Sequence, residues 1–142
     1  MLFDSSVLIA ACVASHPKHE AALVWVQRAL SDKVEYVVAA HSVIEVFSVL
    51  TRALFKPLIT PLTATQLIEQ NIKKKAKIIA LTGEEHFQVI DRMNQLGLKG
   101  GVVYDALIVQ CAQKSASTEI VTSNSKDFLR LLPDQSISLI TV

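Results

Sequence analysis

Four acidic residues stand where burial should disfavour them or where a strand has just ended. Asp4 closes the apolar run MLF, Glu45 interrupts SVIEVF, and Asp105 interrupts VVYDALIV. Asp127 follows EIVTSNSK in a polar turn. A carboxylate among apolar side chains is costly to bury unless something positive meets it. Carboxylates gathered together raise one another's pKa until a cation neutralises them. A hard divalent ion, Mg²⁺ or Mn²⁺, takes oxygen ligands and retains waters that a substrate phosphate can replace. Such a centre activates water and stabilises charge in phosphodiester cleavage.

Each acid also has an ordinary explanation. Asp4 can cap the helix after it, and Asp127 can be a solvated turn residue. Glu45 can face solvent, but Val43, Ile44, Val46 and Phe47 flank it, and a helix apolar all round is a buried one. Asp105, between Tyr104 and ALIV, repeats that pattern. The chemical reading stands only if the fold gathers the four.

The elements that would position them are legible from periodicity. MLF, VEYVVAA, AKIIAL, EIVTS and ISLITV read as strands. Helical spacing follows in SVLIAACVA, HEAALVWVQRAL, HSVIEVFSVLTRAL and LTATQLIEQNIKKK, then in EEHFQVIDRMNQL and VVYDALIVQCAQKS. Ser42 is expected to cap the third of these. Thr82 and Glu85 form a capping box, and Gly97 suits the residue after a helix end. NSKDFLRLL is a further helical turn. Strands alternating with helices imply a parallel sheet of about five strands with helices on both faces. In such sheets ligands bind beyond the carboxyl ends of the strands, which is where these four acids fall.

The bulk properties agree. The 142 residues, half of them hydrophobic (51%), suit one compact domain spanning 1–142. Fourteen basic against 13 acidic residues give a net charge of +1, which neither requires nor excludes a local RNA-binding patch. Cys12 and Cys111 form no CxxC pattern, so a reducing cytoplasm is the expected compartment. The amino terminus lacks a basic segment before its short apolar run, unlike a signal peptide. No run approaches the roughly 18 apolar residues of a membrane span, so a soluble protein without a membrane partner is expected.

The order LFDSSVLIA, SVIEVFSVLTR, GGVVYDALIVQCA and IVTSNSKDF resembles the PIN domain, specifically the toxin nucleases of VapBC-type toxin–antitoxin pairs. The resemblance covers essentially the whole chain. It rests on the Glu in an apolar helix, the Gly-x-x-x-Asp-Ala segment and the terminal T-x-N-x-x-D-F, in that order. It implies a Mg²⁺- or Mn²⁺-dependent endoribonuclease, often acting on structured RNA such as tRNA or rRNA. It further implies a homodimer, held inactive by a cognate antitoxin that inserts a segment near the acidic pocket. Asp4, Glu45 and Asp105 match the family's three core carboxylates. For the fourth position some members have an acid at the place of Asn124 and others use the acid before Phe, here Asp127; both remain candidates. Ser6 and Thr122 match hydroxyl positions that line the family's site. The implied reaction is attack of an activated water on a phosphodiester, leaving 5′-phosphate and 3′-hydroxyl ends.

Several features have milder readings. Lys73–Lys77 is a dense basic cluster that reads as a solvated helix end. Arg52 and Lys56 are better placed to meet substrate phosphates. The four histidines form no ligand spacing with the acids, and His41 is a conceivable substrate contact. Trp25, Phe47, Phe55 and Tyr104 read as core or dimer-interface residues. Val46, Leu50, Leu54 and Phe55 read as an apolar surface for an antitoxin or second subunit. A haloacid-dehalogenase-type phosphohydrolase also begins with a strand ending in Asp, but it needs a second Asp where this chain has Ser6. A non-catalytic RNA-binding or interaction module on the same scaffold, and a nuclease of RNA processing outside any toxin pair, are the remaining alternatives.

Overall fold

The computed structural model describes residues 1–132 and 136–142. Five strands, β1 (Leu2–Phe3), β2 (Val37–Ala39), β3 (Lys77–Ile79), β4 (Glu119–Thr122) and β5 (Ser138–Thr141), form one sheet in the order β3-β2-β1-β4-β5. Every pairing is parallel. The helices are α1 (Ser5–Cys12), α2 (His19–Leu30), α3 (Ala40–Arg52), α4 (Pro61–Ile68), α5 (Gly83–Gln95), α6 (Val102–Lys114) and α7 (Ser125–Leu131). One π-helical turn, Glu69–Lys73, prolongs α4.

Side chains alternate across a strand, and that alternation builds two cores. Phe3, Val38 and Val121 pack on one face with residues of α1 to α4, including Val7, Val26 and Leu50. Leu2, Val37, Ala39 and Ile120 pack on the other with residues of α5 to α7, such as Val89, Ile108 and Phe128. Central strands buried on both faces read as continuous apolar runs, which is why MLF and YVVAA carry no polar alternation.

The central strand β1 lies between β2 and β4, so the chain leaves it toward one side of the sheet and later returns to the other. A crevice forms at such a reversal, outside the carboxyl ends of the strands. Asp4, immediately after β1, sits there, its N–H donating to the carbonyl of Val121 at 3.0 Å.

Local chemistry sets the helix ends. Thr60 accepts from the N–H of Thr63 ahead of Pro61, and the Thr82–Glu85 capping box is present in both directions. Gly97 takes φ +63, the left-handed conformation that ends α5. Ser42 is not a cap: α3 begins two residues earlier, after Ala39, and the buried Ser42 hydroxyl has no hydrogen-bond partner among the described residues. Strand β2 runs straight into α3, so the alanines at the junction, which carry no capping group, mark the boundary.

Helix α3 also departs from the expectation of a helix apolar on every side. Val46 and Leu50 are core residues, whereas Ile44 is 71% exposed. The apolar surface expected along Val46 and Leu50 is therefore interior. Ile44, Phe47 and Leu54 form the exposed apolar side chains of this region.

Candidate active site

Asp4 is the most constrained of the four acids. It is 3% exposed and occupies the N-cap position of α1, yet its side chain makes no cap hydrogen bond. Three hydroxyls donate to it instead: Ser5 Oγ to Oδ1 at 3.2 Å, and Ser6 Oγ and Thr122 Oγ1 to Oδ2 at 2.5 and 2.8 Å. Hydrogen bonds to an ionised acceptor are the stronger kind, roughly 1.5–3 kcal/mol each. The hydroxyls in turn hold the exit of β4. Ser6 Oγ accepts from the N–H of Ser123, and Thr122 Oγ1 accepts from the N–H of Asn124. The ordinary explanation of Asp4, a helix cap, is thus replaced by a carboxylate aimed by hydroxyls from two strand ends.

Asp105 enters from the first turn of α6. Burial, and then the charges of Asp4, Asp127 and Glu45, push its carboxyl up to about 7 from 3.8. Glu45 stands in the second turn of α3, half-buried. One electrostatic neighbourhood therefore contains acids from β1, α3, α6 and α7, which are up to 123 positions apart in sequence.

Asp127 is differently employed. It accepts from Asn124 Nδ2 at 3.0 Å and pairs with Arg130 at 3.3 Å. The Asn124 amide, followed by Arg130, holds its carboxyl below the usual range. Asn124 and Asp127 thus form one unit at the start of α7, with the amide directed to the acid.

Arg52 does not join the acids. It lies at the end of α3, exposed, in a groove of about 650 Å³ that also includes Glu45, His41 and Tyr104. Tyr104 is 60% exposed and lines this groove, so it is not a core residue. His41 has more context than its sequence suggested. Burial lowers its pKa against the opposing charges of Glu45 and Asp4 and a hydrogen bond with the backbone of Tyr104. Lys73 and Lys75 pair with Glu69 and Asp32, and Lys77 opens β3 at the entry end of the sheet, away from the acids.

Two supporting residues had no local signal. Ser5 completes the hydroxyl set on Asp4. Lys18 Nζ donates to the carbonyls of Ser123 and Val142 at 2.8 and 2.9 Å, tying α2 to the ends of β4 and β5. These contacts span 105 and 124 residues and are invisible to periodicity.

The donor set is one of hard oxygens: three carboxylates, a fourth in reserve with an amide, and hydroxyls behind. That chemistry, with Asp105 raised first by burial and then by the neighbouring acids, fits a hard divalent cation. Among the described residues, no three His, Cys, Asp or Glu side chains converge tightly enough to hold an ion as they stand. Coordination would draw the carboxylates together.

A five-stranded parallel sheet with acids grouped near its switch point defines a class of small α/β proteins. This chain belongs to the PIN domain family, whose pattern it matches over residues 1–131. Among curated relatives it is 31% identical to ribonuclease VapC40 of Mycobacterium tuberculosis, over 84% of this chain and 82% of the relative. It is 28% identical to ribonuclease VapC27 of the same species, over 87% and 83%. Among solved structures, it resembles the sarcin-ricin loop-cleaving toxin VapC20 of M. tuberculosis with a TM-score of 0.70, at 13% identity over 89% of this chain and 92% of that one. It also resembles VapBC2 of Rickettsia felis bound to a DNA fragment from its promoter, with a TM-score of 0.65, at 15% identity over 99% and 97%.

Proposed function

We propose that this chain is a divalent-metal-dependent endoribonuclease and the toxin of a VapBC-type toxin–antitoxin pair. The observation that carries the reading is the electrostatic one. Asp105 is raised to about 7 by burial and by Asp4, Asp127 and Glu45, an arrangement that a fold retains at a functional site more readily than for stability. The curated relatives, both named ribonuclease VapC, support the same class.

Asp4, Glu45 and Asp105 would hold Mg²⁺ or Mn²⁺, with Asp127 and Asn124 at the margin. Such an ion, when bound, lowers the pKa of water and offsets charge on the phosphodiester. The chain's own part is positioning. Ser5, Ser6 and Thr122 fix the Asp4 carboxylate, so it need not reorganise during the reaction. Asp105 gives up the proton that its metal-free environment favours. Asn124 keeps Asp127 turned toward the start of α7 while Arg130 shares its charge. The products are 5′-phosphate and 3′-hydroxyl ends.

The protein acts in the cytoplasm, in this reading, as a homodimer silenced by a cognate antitoxin. Exposed Phe87 and Ile90 on α5, and Ile44 and Phe47 on α3, provide apolar surface for such partners. Among the described residues no helix is long and apolar enough to cross a membrane. The decisive experiment incubates purified cellular RNAs with the protein and Mg²⁺ or Mn²⁺, alongside Asp4→Asn and Asp105→Asn. Discrete metal-dependent cuts lost in both variants are expected. Equal behaviour of all three proteins, without cuts, would favour a non-catalytic RNA-binding module.

A further inference from the structure

The groove between α3 and α6 shares Glu45 with the acidic centre. Glu45, Ser48, Val49 and Arg52 line it from α3 at helical positions i, i+3, i+4 and i+7, one face of that helix. Tyr104 and Leu107 line it from α6. Seven residues advance a helix about 10 Å, so Arg52 lies within reach of a nucleotide strand laid from Glu45 along the groove. Arg52 has no ion pair and the Tyr104 hydroxyl no hydrogen bond among the described residues. His41, also in the lining, is held near the backbone of Tyr104.

We propose that this groove is a nucleotide subsite: it takes the RNA nucleotide beside the scissile bond, with the base stacked on Tyr104 and a flanking phosphate paired with Arg52. This rests on the ribonuclease reading above. An exposed aromatic face stacks any base, and a guanidinium meets phosphate in a two-pronged geometry. Ile44, Val49 and Leu107 shield the stacked base from water, while Ser48 and His41 offer polar atoms to its edge or sugar. Glu45 belongs to both groove and acidic cluster. A strand whose phosphodiester lies at the acids therefore continues into the groove.

The test needs no cleavage. A single-stranded oligoribonucleotide containing 5-iodouridine is bound to the Asp105→Asn protein, irradiated, and the crosslinked peptide identified by mass spectrometry. The crosslink is expected on Tyr104. Tyr104→Ala should weaken binding about tenfold, whereas Tyr104→Phe stays within about twofold, because either ring stacks. Arg52→Ala should flatten the dependence of log K on log salt by about 0.7–1. A crosslink confined to another segment, no saturable binding, or unchanged affinity in both Tyr104→Ala and Arg52→Ala would overturn the subsite. Unchanged affinity would mark the groove as a protein-docking surface instead. Crosslinking at Tyr104, together with a wild-type protein that cuts no RNA in Mg²⁺ or Mn²⁺, would leave the groove as an RNA-binding site and remove the catalytic reading.

Discussion

Thr122 donates its hydroxyl to Asp4 Oδ2 at 2.8 Å, joining the ends of two adjacent parallel strands across 118 residues of sequence. Thr122 Oγ1 itself accepts from the N–H of Asn124. One fully buried hydroxyl thus holds the candidate ligand at β1 and the turn into α7. Thr122→Val removes the donor while keeping the shape, and leaves both partners short of a bond. A loss of about 1–3 kcal/mol is expected in urea unfolding. Metal-dependent cleavage should fall at least about tenfold in kcat, with RNA binding little changed. Thr122→Ser should retain most of both.

Asp105 makes the metal-free fold sensitive to pH. Its carboxyl titrates at about 7 in the fold against an ordinary 3.8, so the folded state prefers the protonated acid. This group exerts no penalty below about pH 4; the penalty grows as pH rises and is complete above about 7. The full displacement corresponds to at most about 4 kcal/mol, and partial solvent exposure reduces the expected effect to about 1–2 kcal/mol. Without metal, Asp105→Asn should therefore be more stable than wild type by that amount at pH 8 and equal to it at pH 4. Thermal melts at the two pH values decide this.

The same proton couples to metal. A cation must displace it at pH 6, where Asp105 is mostly protonated, but not at pH 8. Titration calorimetry in two buffers of different ionisation enthalpy should show close to one proton released per ion at pH 6 and about 0.1 at pH 8. Release that is equal at both pH values would show that Asp105 has no proton for the ion to displace at pH 6.

Asp127 should matter less than Asp4. It is already paired with Arg130 and Asn124 at the surface, and exposed pairs contribute about 0–1 kcal/mol. Asp127→Asn should leave the urea midpoint nearly unchanged. Cleavage should drop about tenfold, against at least a hundredfold for Asp4→Asn. A loss for Asp127→Asn equal to that of Asp4→Asn would make Asp127 a full member of the site.

Thr82 provides a contrast remote from the acids. Its reciprocal capping box with Glu85 starts α5, and Glu85 also meets Lys114 at 2.6 Å. Thr82→Ala should cost about 1 kcal/mol of stability and leave RNA cleavage as in wild type when both proteins are folded.

The order of the elements, the parallel sheet and the acids that fall near its carboxyl edge are legible in the residues alone. Strand and helix periods are local properties: MLF and YVVAA declare buried strands, and Thr82-Gly-Glu-Glu85 declares a helix start within four residues. Asp105 was conspicuous for the same reason, a single charge in an apolar segment. What each acid meets is set by how distant segments pack. That Asp4 also accepts from Thr122 depends on β1 lying beside β4, a pairing no local period encodes. That Glu45 shares its helix with exposed Ile44, and Tyr104 with a groove ending at Arg52, depends on how α3 and α6 pack. Ser42 misled because capping residues mark a boundary only where the chain bends before the helix, and here β2 passes directly into α3. Periodicity measures how one segment repeats along itself; the site is made where segments far apart in the chain are brought edge to edge.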